Sequence, residues 1–107
     1  MVNGIVAAQF PHHAVFSGYH VETHGNLYAH LVLRGRMGNP NYVAEFIHEA
    51  ADLLAKNKVQ NPAILIDVSH DNSCINGVKD CARQPIIVKE VMATMQVNPE
   101  IKKLVKG

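Results

Sequence analysis

Two short apolar runs, separated by one helix-length amphipathic stretch, constrain this chain most. Leu31-Val32-Leu33 runs into Arg34-Gly35, and Ile64-Leu65-Ile66-Asp67-Val68 runs into Ser69-His70. Strand, helix, strand is a βαβ order, and a right-handed crossover leaves the two strands parallel. Arg34 and His70 then leave the sheet at one edge, the carboxyl end of the strands. Parallel α/β folds place binding and catalysis at that edge.

The intervening stretch keeps the 3.6-residue period, with Val43, Phe46, Ile47, Ala50, Leu53 and Leu54 on one face. Asn41 is the expected N-cap of a helix over residues 42–57. The flanking strands are expected over 29–33 and 63–68, the second apolar on both sides and so covered on both. Upstream, residues 4–10 form an apolar helical stretch closed by Pro11. Ser17-Gly18 sits between two alternating runs as the turn of a small β-hairpin. Downstream, Asp71-Asn72-Ser73 is a turn, and Pro85 suits the first turn of a last long helix. That helix has Ile87, Val88, Val91, Met92 and Met95 as its buried stripe; Asn98-Pro99 then interrupts it before a short apolar segment at 101–105. Two parallel strands alone leave bare edges, which a stable sheet has to cover. The chain therefore reads as a slice of a larger α/β fold.

Arg34, beside Gly35, is a candidate ligand for phosphate or carboxylate, because a guanidinium binds either bidentately and glycine lets the ligand approach the backbone. His70 is a candidate metal ligand or general acid/base. By strand alternation Asp67 points away from His70 and is no obvious partner for it. The six other histidines, His12, His13, His20, His24, His30 and His48, are not spaced to enforce a metal cluster. Cys74 and Cys81 make neither a disulfide framework nor a zinc pattern, which fits a reducing, cytoplasmic setting. A net charge of +1 gives no field for nucleic acid or a membrane surface, and no apolar run approaches the ~20 residues needed to span a bilayer. The 107 residues are one domain's worth at most.

Several stretches, read in order, resemble one family. Gln9-Phe10-Pro11-His12-His13, Gly25-Asn26, Ala29-His30-Leu31-Val32-Leu33-Arg34-Gly35, Pro40-Asn41-Tyr42, Ile66-Asp67-Val68-Ser69-His70-Asp71-Asn72-Ser73 and Gln84-Pro85 follow its series with compatible spacings. That family is the class I (type Iα) 3-deoxy-D-arabino-heptulosonate 7-phosphate (DAHP) synthases, transferases that open the shikimate route to the aromatic amino acids. The resemblance implies a C-terminal-half fragment: residues 1–107 as one partial (β/α)8 TIM barrel segment, about two parallel βα units plus a small hairpin. It implies condensation of phosphoenolpyruvate with erythrose 4-phosphate, releasing phosphate, by a homo-oligomeric cytoplasmic enzyme. It assigns Arg34 and His70 to phosphoenolpyruvate, and His70 to catalysis and to a divalent metal, Mn2+ or Fe2+. Arg36 and Asp71 depart from the family pattern. The family's metal cysteine and substrate lysines are expected upstream of the matched residues, and its metal glutamate just after a Lys-Gly like Lys106-Gly107. The chain alone is thus expected to bind no metal and to be inactive. The alternative expectation is a non-catalytic α/β domain that dimerises through open sheet edges.

Overall fold

The computed structural model describes residues 2–107. The two apolar runs form the strands Leu31–Leu33 (β3) and Ile64–Ile66 (β4), which pair in parallel with Leu31 beside Ile64 and Leu33 beside Ile66. Before them come the helix Val2–Gln9 (α1) and the antiparallel pair His12–Phe16 (β1) and Tyr19–Thr23 (β2). Ser17 and Gly18 both have positive φ, 51° and 80°, as the favoured two-residue hairpin turn requires. This hairpin buries little of its own surface: Phe16 and Tyr19 remain 73% and 75% exposed.

The helix Ala44–Lys56 (α2) connects β3 to β4 and buries Ile47, Ala50 and Leu54. It starts two residues later than expected, and Asn41 does not cap it. The Asn41 side-chain oxygen instead accepts the Gly35 N–H at 2.8 Å, leaving Val43 at the cap position without a side-chain hydrogen bond. The buried stripe is also narrower than the sequence pattern, because Phe46 and Leu53 lie on its flanks and stay exposed.

After β4 the chain enters a 3-10 turn, His70–Ser73, and then a two-residue hairpin of Cys74–Ile75 (β5) and Val78–Lys79 (β6). Asp80 accepts the Ala82 N–H at 3.0 Å in the turn that leads to the helix Gln84–Val97 (α3). Pro85 sits in the first turn of α3, as expected, and Asn98-Pro99 separates it from the helix Pro99–Leu104 (α4). The α3 stripe reduces to Ile87 and Val91, with Val88 and Met92 exposed beside an apolar cavity of about 240 Å³.

The far edge of β4 is not bare. Lys106 N–H donates to the Ile64 carbonyl at 3.0 Å, and Ile66 N–H donates to the Gly107 carbonyl at 2.8 Å, so the last residues run alongside β4 through an isolated parallel bridge between Val105 and Ile64. Residues 101–105 are therefore the end of α4 and the start of that bridged stretch, where the sequence suggested only an apolar segment.

The sheet is covered on one face, which corrects the expectation of cover on both. Leu31, Leu33 and Ile64 point into a core with Val2 and Ile5 of α1, Ile47, Ala50 and Leu54 of α2, and Ile101 of α4. On the opposite face Val32 is 37% exposed, and Leu65 lines an open depression with Tyr28, His30 and Lys106. Apolar residues on both sides of a short strand thus do not measure how much of it this chain itself covers. Among the described residues no helix is long and apolar enough to cross a membrane.

Gln9 locks α1 onto this layer. Its side chain is 1% exposed, donates to the Gln60 carbonyl at 2.6 Å and accepts the Gln60 N–H at 3.0 Å. Gly25 passes so close to the Gln9 carbonyl that a Cβ there would overlap it, and its φ of 77° suits glycine.

Candidate functional site

Arg34 directly follows β3, and His70 follows β4 by four residues, so both lie at the carboxyl edge of the parallel pair. The two exits are stitched together by backbone. Asp67 N–H donates to the Leu33 carbonyl at 2.9 Å, and Asn72 N–H donates to the Arg34 carbonyl at 3.1 Å. Gly35 allows this contact: its φ is 85°, and a Cβ on it would stand 2.6 Å from Asn72 N and from the Asp71 Cβ.

Asp67 and His70 are partners, contrary to the strand-parity expectation. The His70 Nδ1 lies 2.6 Å from the Asp67 Oδ2. Alternation of side chains holds only while the chain stays extended. Pairing ends at Ile66, and the Ser69 N–H folds back onto the Asp67 Oδ1 at 2.8 Å. His70 then adopts φ 47°, the left-handed region, at the start of the 3-10 turn. Three residues of curved chain bring the imidazole onto the carboxylate that a straight strand would have placed behind it.

Burial pushes the Asp67 carboxyl up, but the Ser69 amide, the His70 imidazole and the charges of His70 and Arg34 outweigh it, and the group sits below the ordinary carboxylate value. An ionised carboxylate only accepts hydrogen bonds, so His70 Nδ1 carries the proton and a neutral ring keeps its lone pair on Nε2. With its side chain 42% exposed, His70 is within reach of a ligand. Arg34 is exposed, and its charge is felt at Asp67. The edge therefore combines an exposed guanidinium with an imidazole of fixed tautomer. That pair can hold an anion and offer one nitrogen donor.

The remaining histidines do not join it. His12 Nδ1 lies 3.0 Å from both the Phe10 carbonyl and the Thr23 hydroxyl, and His30 Nδ1 lies 3.2 Å from the Tyr28 carbonyl. Cys74 is buried with its sulfur 3.8 Å from the His70 carbonyl, while Cys81 is exposed; both are free thiols. Among the described residues no group of three His, Cys, Asp or Glu side chains comes together as a metal site.

Two residues beyond the expected pair shape the edge. Asn72 is fully buried and bonded to both strand ends, and Asn41 bridges Gly35 to it. Both belong to the motif stretches named above. Only the presence of an amide in a turn, where Asn commonly bonds nearby backbone, could have singled them out.

No family model matches the chain. A phospho-2-dehydro-3-deoxyheptonate aldolase of Corynebacterium glutamicum is 35% identical to it over 97 residues, which is 84% of this chain and 24% of that protein. The solved structure of phospho-2-dehydro-3-deoxyheptonate aldolase from Francisella tularensis SCHU S4 matches 97% of this chain and 29% of its own, with a TM-score of 0.79 and 25% identity. The chain thus spans about a quarter of the length of the curated relative. These matches bear out the resemblance read from the sequence motifs.

Proposed function

We propose that this chain, a homologue of one stretch of the DAHP synthases, supplies the phosphoenolpyruvate-facing edge of that family's active site. The carrying observation is the juxtaposition of Arg34 and His70 at the ends of neighbouring parallel strands, with Asp67 holding the imidazole. Phosphoenolpyruvate presents a carboxylate and a phosphate, and a planar guanidinium pairs with either through two parallel hydrogen bonds. In this reading Arg34 holds the anion, and His70 lies beside it with Nε2 free. The described residues form one arc of a (β/α)8 barrel, a reading supported by the parallel pair β3 and β4 joined through α2, with Val105 bridged in parallel to Ile64.

A Mn2+ or Fe2+ centre is not met by these residues alone. Transition-metal sites draw on about three or four protein donors, and His70 provides one. His70 would be one donor in a set completed by parts of the family's fold that this chain does not match. When bound, such a metal supplies Lewis-acid polarisation of the aldehyde of erythrose 4-phosphate. The chemistry of the chain itself is binding and orientation. The free thiols Cys74 and Cys81 support a cytoplasmic setting.

The test is titration of the 15N-labelled chain with phosphoenolpyruvate. Two charge-assisted hydrogen bonds, each worth about 1.5–3 kcal/mol, correspond to a dissociation constant on the order of millimolar. Saturable shifts of the Arg34 side chain and of His70 are expected, and Arg34→Ala should abolish both. No shift in the wild-type chain overturns the reading. The purified chain should form no DAHP from phosphoenolpyruvate and erythrose 4-phosphate, and steady product formation overturns that part.

One observation favours the second reading, a non-catalytic domain that self-associates. The outer edge of β3 has no strand partner among the described residues, and Phe46 and Leu53 of α2 are exposed. Unpaired edges recruit other chains. A strictly monomeric species in sedimentation at high concentration excludes it.

A further inference from the structure

We propose that Asn72 is the positioning residue of this edge, fixing both the Arg34 exit and the Asp67–His70 pair through one buried side-chain amide. The inference rests on the phosphoenolpyruvate reading of Arg34 and His70 and adds to it a residue that touches neither ligand nor metal.

Asn72 is 0% exposed. Its Nδ2 donates to the Leu33 carbonyl at 2.9 Å and to the Asp67 carbonyl at 2.7 Å. Its Oδ1 accepts the Asn41 N–H at 2.7 Å, and its own backbone N–H donates to the Arg34 carbonyl. Both amide hydrogens and the carbonyl oxygen are used, as a buried amide requires. The partners give the arrangement its meaning. Leu33 immediately precedes the guanidinium-bearing residue, and Asp67 carries the carboxylate that bonds His70. Asn41 in turn accepts the Gly35 N–H, which closes the ring of bonds around the Arg34–Gly35 exit.

No other side chain of this size supplies two donors and an acceptor in one plane. An aspartate would turn an acceptor toward two carbonyl oxygens, and a serine has one hydrogen to donate. With the bond to Asp67 lost, the 67–70 segment is free to move, and the carboxylate no longer meets Nδ1 in one geometry. A residue that only held the fold together would lower stability while leaving the imidazole of the still-folded protein unchanged.

The experiment uses the 107-residue chain with Asn72→Ser and Asn72→Asp, each measured below its own unfolding transition. Long-range proton–nitrogen NMR correlations report the His70 tautomer, and phosphoenolpyruvate titration reports the Arg34 response. In the wild-type chain His70 should be a single Nδ1–H tautomer. In the folded variants the tautomers should mix, and phosphoenolpyruvate affinity should fall about tenfold, a change of ~1.4 kcal/mol. A folded variant with an unchanged tautomer and unchanged affinity overturns the positioning role. If the wild-type chain shows no phosphoenolpyruvate response but the variants still mix the tautomers, the ligand reading fails and the positioning role stands. Should neither variant fold, the wild-type chain decides: slow exchange of both Asn72 Nδ2 protons together with a single His70 tautomer supports the role, and rapid exchange of those protons overturns it.

Discussion

Gly35→Ala is the sharpest perturbation of the junction between the two strand exits. Two separable costs apply. The first is conformational: at φ 85° an L-residue pays about 1–2 kcal/mol that glycine does not. The second is steric: the new Cβ would stand 2.6 Å from the Asn72 nitrogen and from the Asp71 carbonyl carbon and Cβ, so backbone has to move. Forced backbone shifts of this kind cost roughly 1–3 kcal/mol. Gly77→Ala supplies the control. It has the same backbone requirement, φ 80°, yet nothing lies within 4 Å of the position its new methyl group would take. It should therefore pay the first cost only. With about 4–8 °C of Tm per kcal/mol in a small domain, Gly35→Ala should melt roughly 10–40 °C below wild type and Gly77→Ala about 5–15 °C below. Thermal unfolding followed by circular dichroism measures both. Equal shifts for the two variants would refute the close approach between the Arg34 and His70 exits, whatever the absolute values.

Gln9→Ala should destabilise the chain by about 1–3 kcal/mol in urea titrations, because it removes the buried amide that bonds both the N–H and the carbonyl of Gln60, at about 0.5–1.5 kcal/mol per bond. A loss below about 0.5 kcal/mol would mean that α1 is not locked to the strands through this side chain. Burial raises the Tyr42 phenol above its ordinary value, Glu90 adds to the rise, and Arg83 partly offsets it. The neutral phenol is thus favoured in the folded chain, so its contribution is complete below about pH 10 and is lost as pH rises through the raised value. Between pH 9 and pH 11 the wild-type Tm should fall more steeply than that of Tyr42→Phe; parallel slopes would contradict the burial of this phenol.

The parts of the fold visible in the sequence are those set by local chemistry. Ser17-Gly18 specifies a turn with two positive φ values, Pro85 a helix start and Asn98-Pro99 a helix break, and each stands where expected. Asn76-Gly77 forms a second turn of the same kind, with φ 50° and 80°. That signal was present, but only Ile75 and Val78 flank it, too few residues to show alternation. The parallel bridge at Val105 was hidden for the same reason, since a single bridged residue has no period to read. The α2 start moved because Asn41 had two possible uses. Capping a helix and holding the Gly35 N–H need the same oxygen, and only the position of β4 and its following turn decides between them.

The site divides along the same line. Arg34 and His70 were legible because a polar residue at the exit of a parallel strand has one address, the carboxyl edge. Their supports were not, because each depends on chain curvature that periodicity does not encode. Parity sends Asp67 away from His70 in a straight strand, whereas one left-handed residue and a Ser69 amide folded onto the carboxylate bring them to 2.6 Å. Asn72 reaches across 39 residues to Leu33, a contact that exists only once β3 and β4 are paired. The support thus depends on the pairing register: strand pairing sets the Leu33 and Asp67 carbonyls side by side, where one Asn72 amide bonds both. Anything that slips the register of β3 against β4 should disrupt the imidazole geometry before it removes Arg34 from the edge.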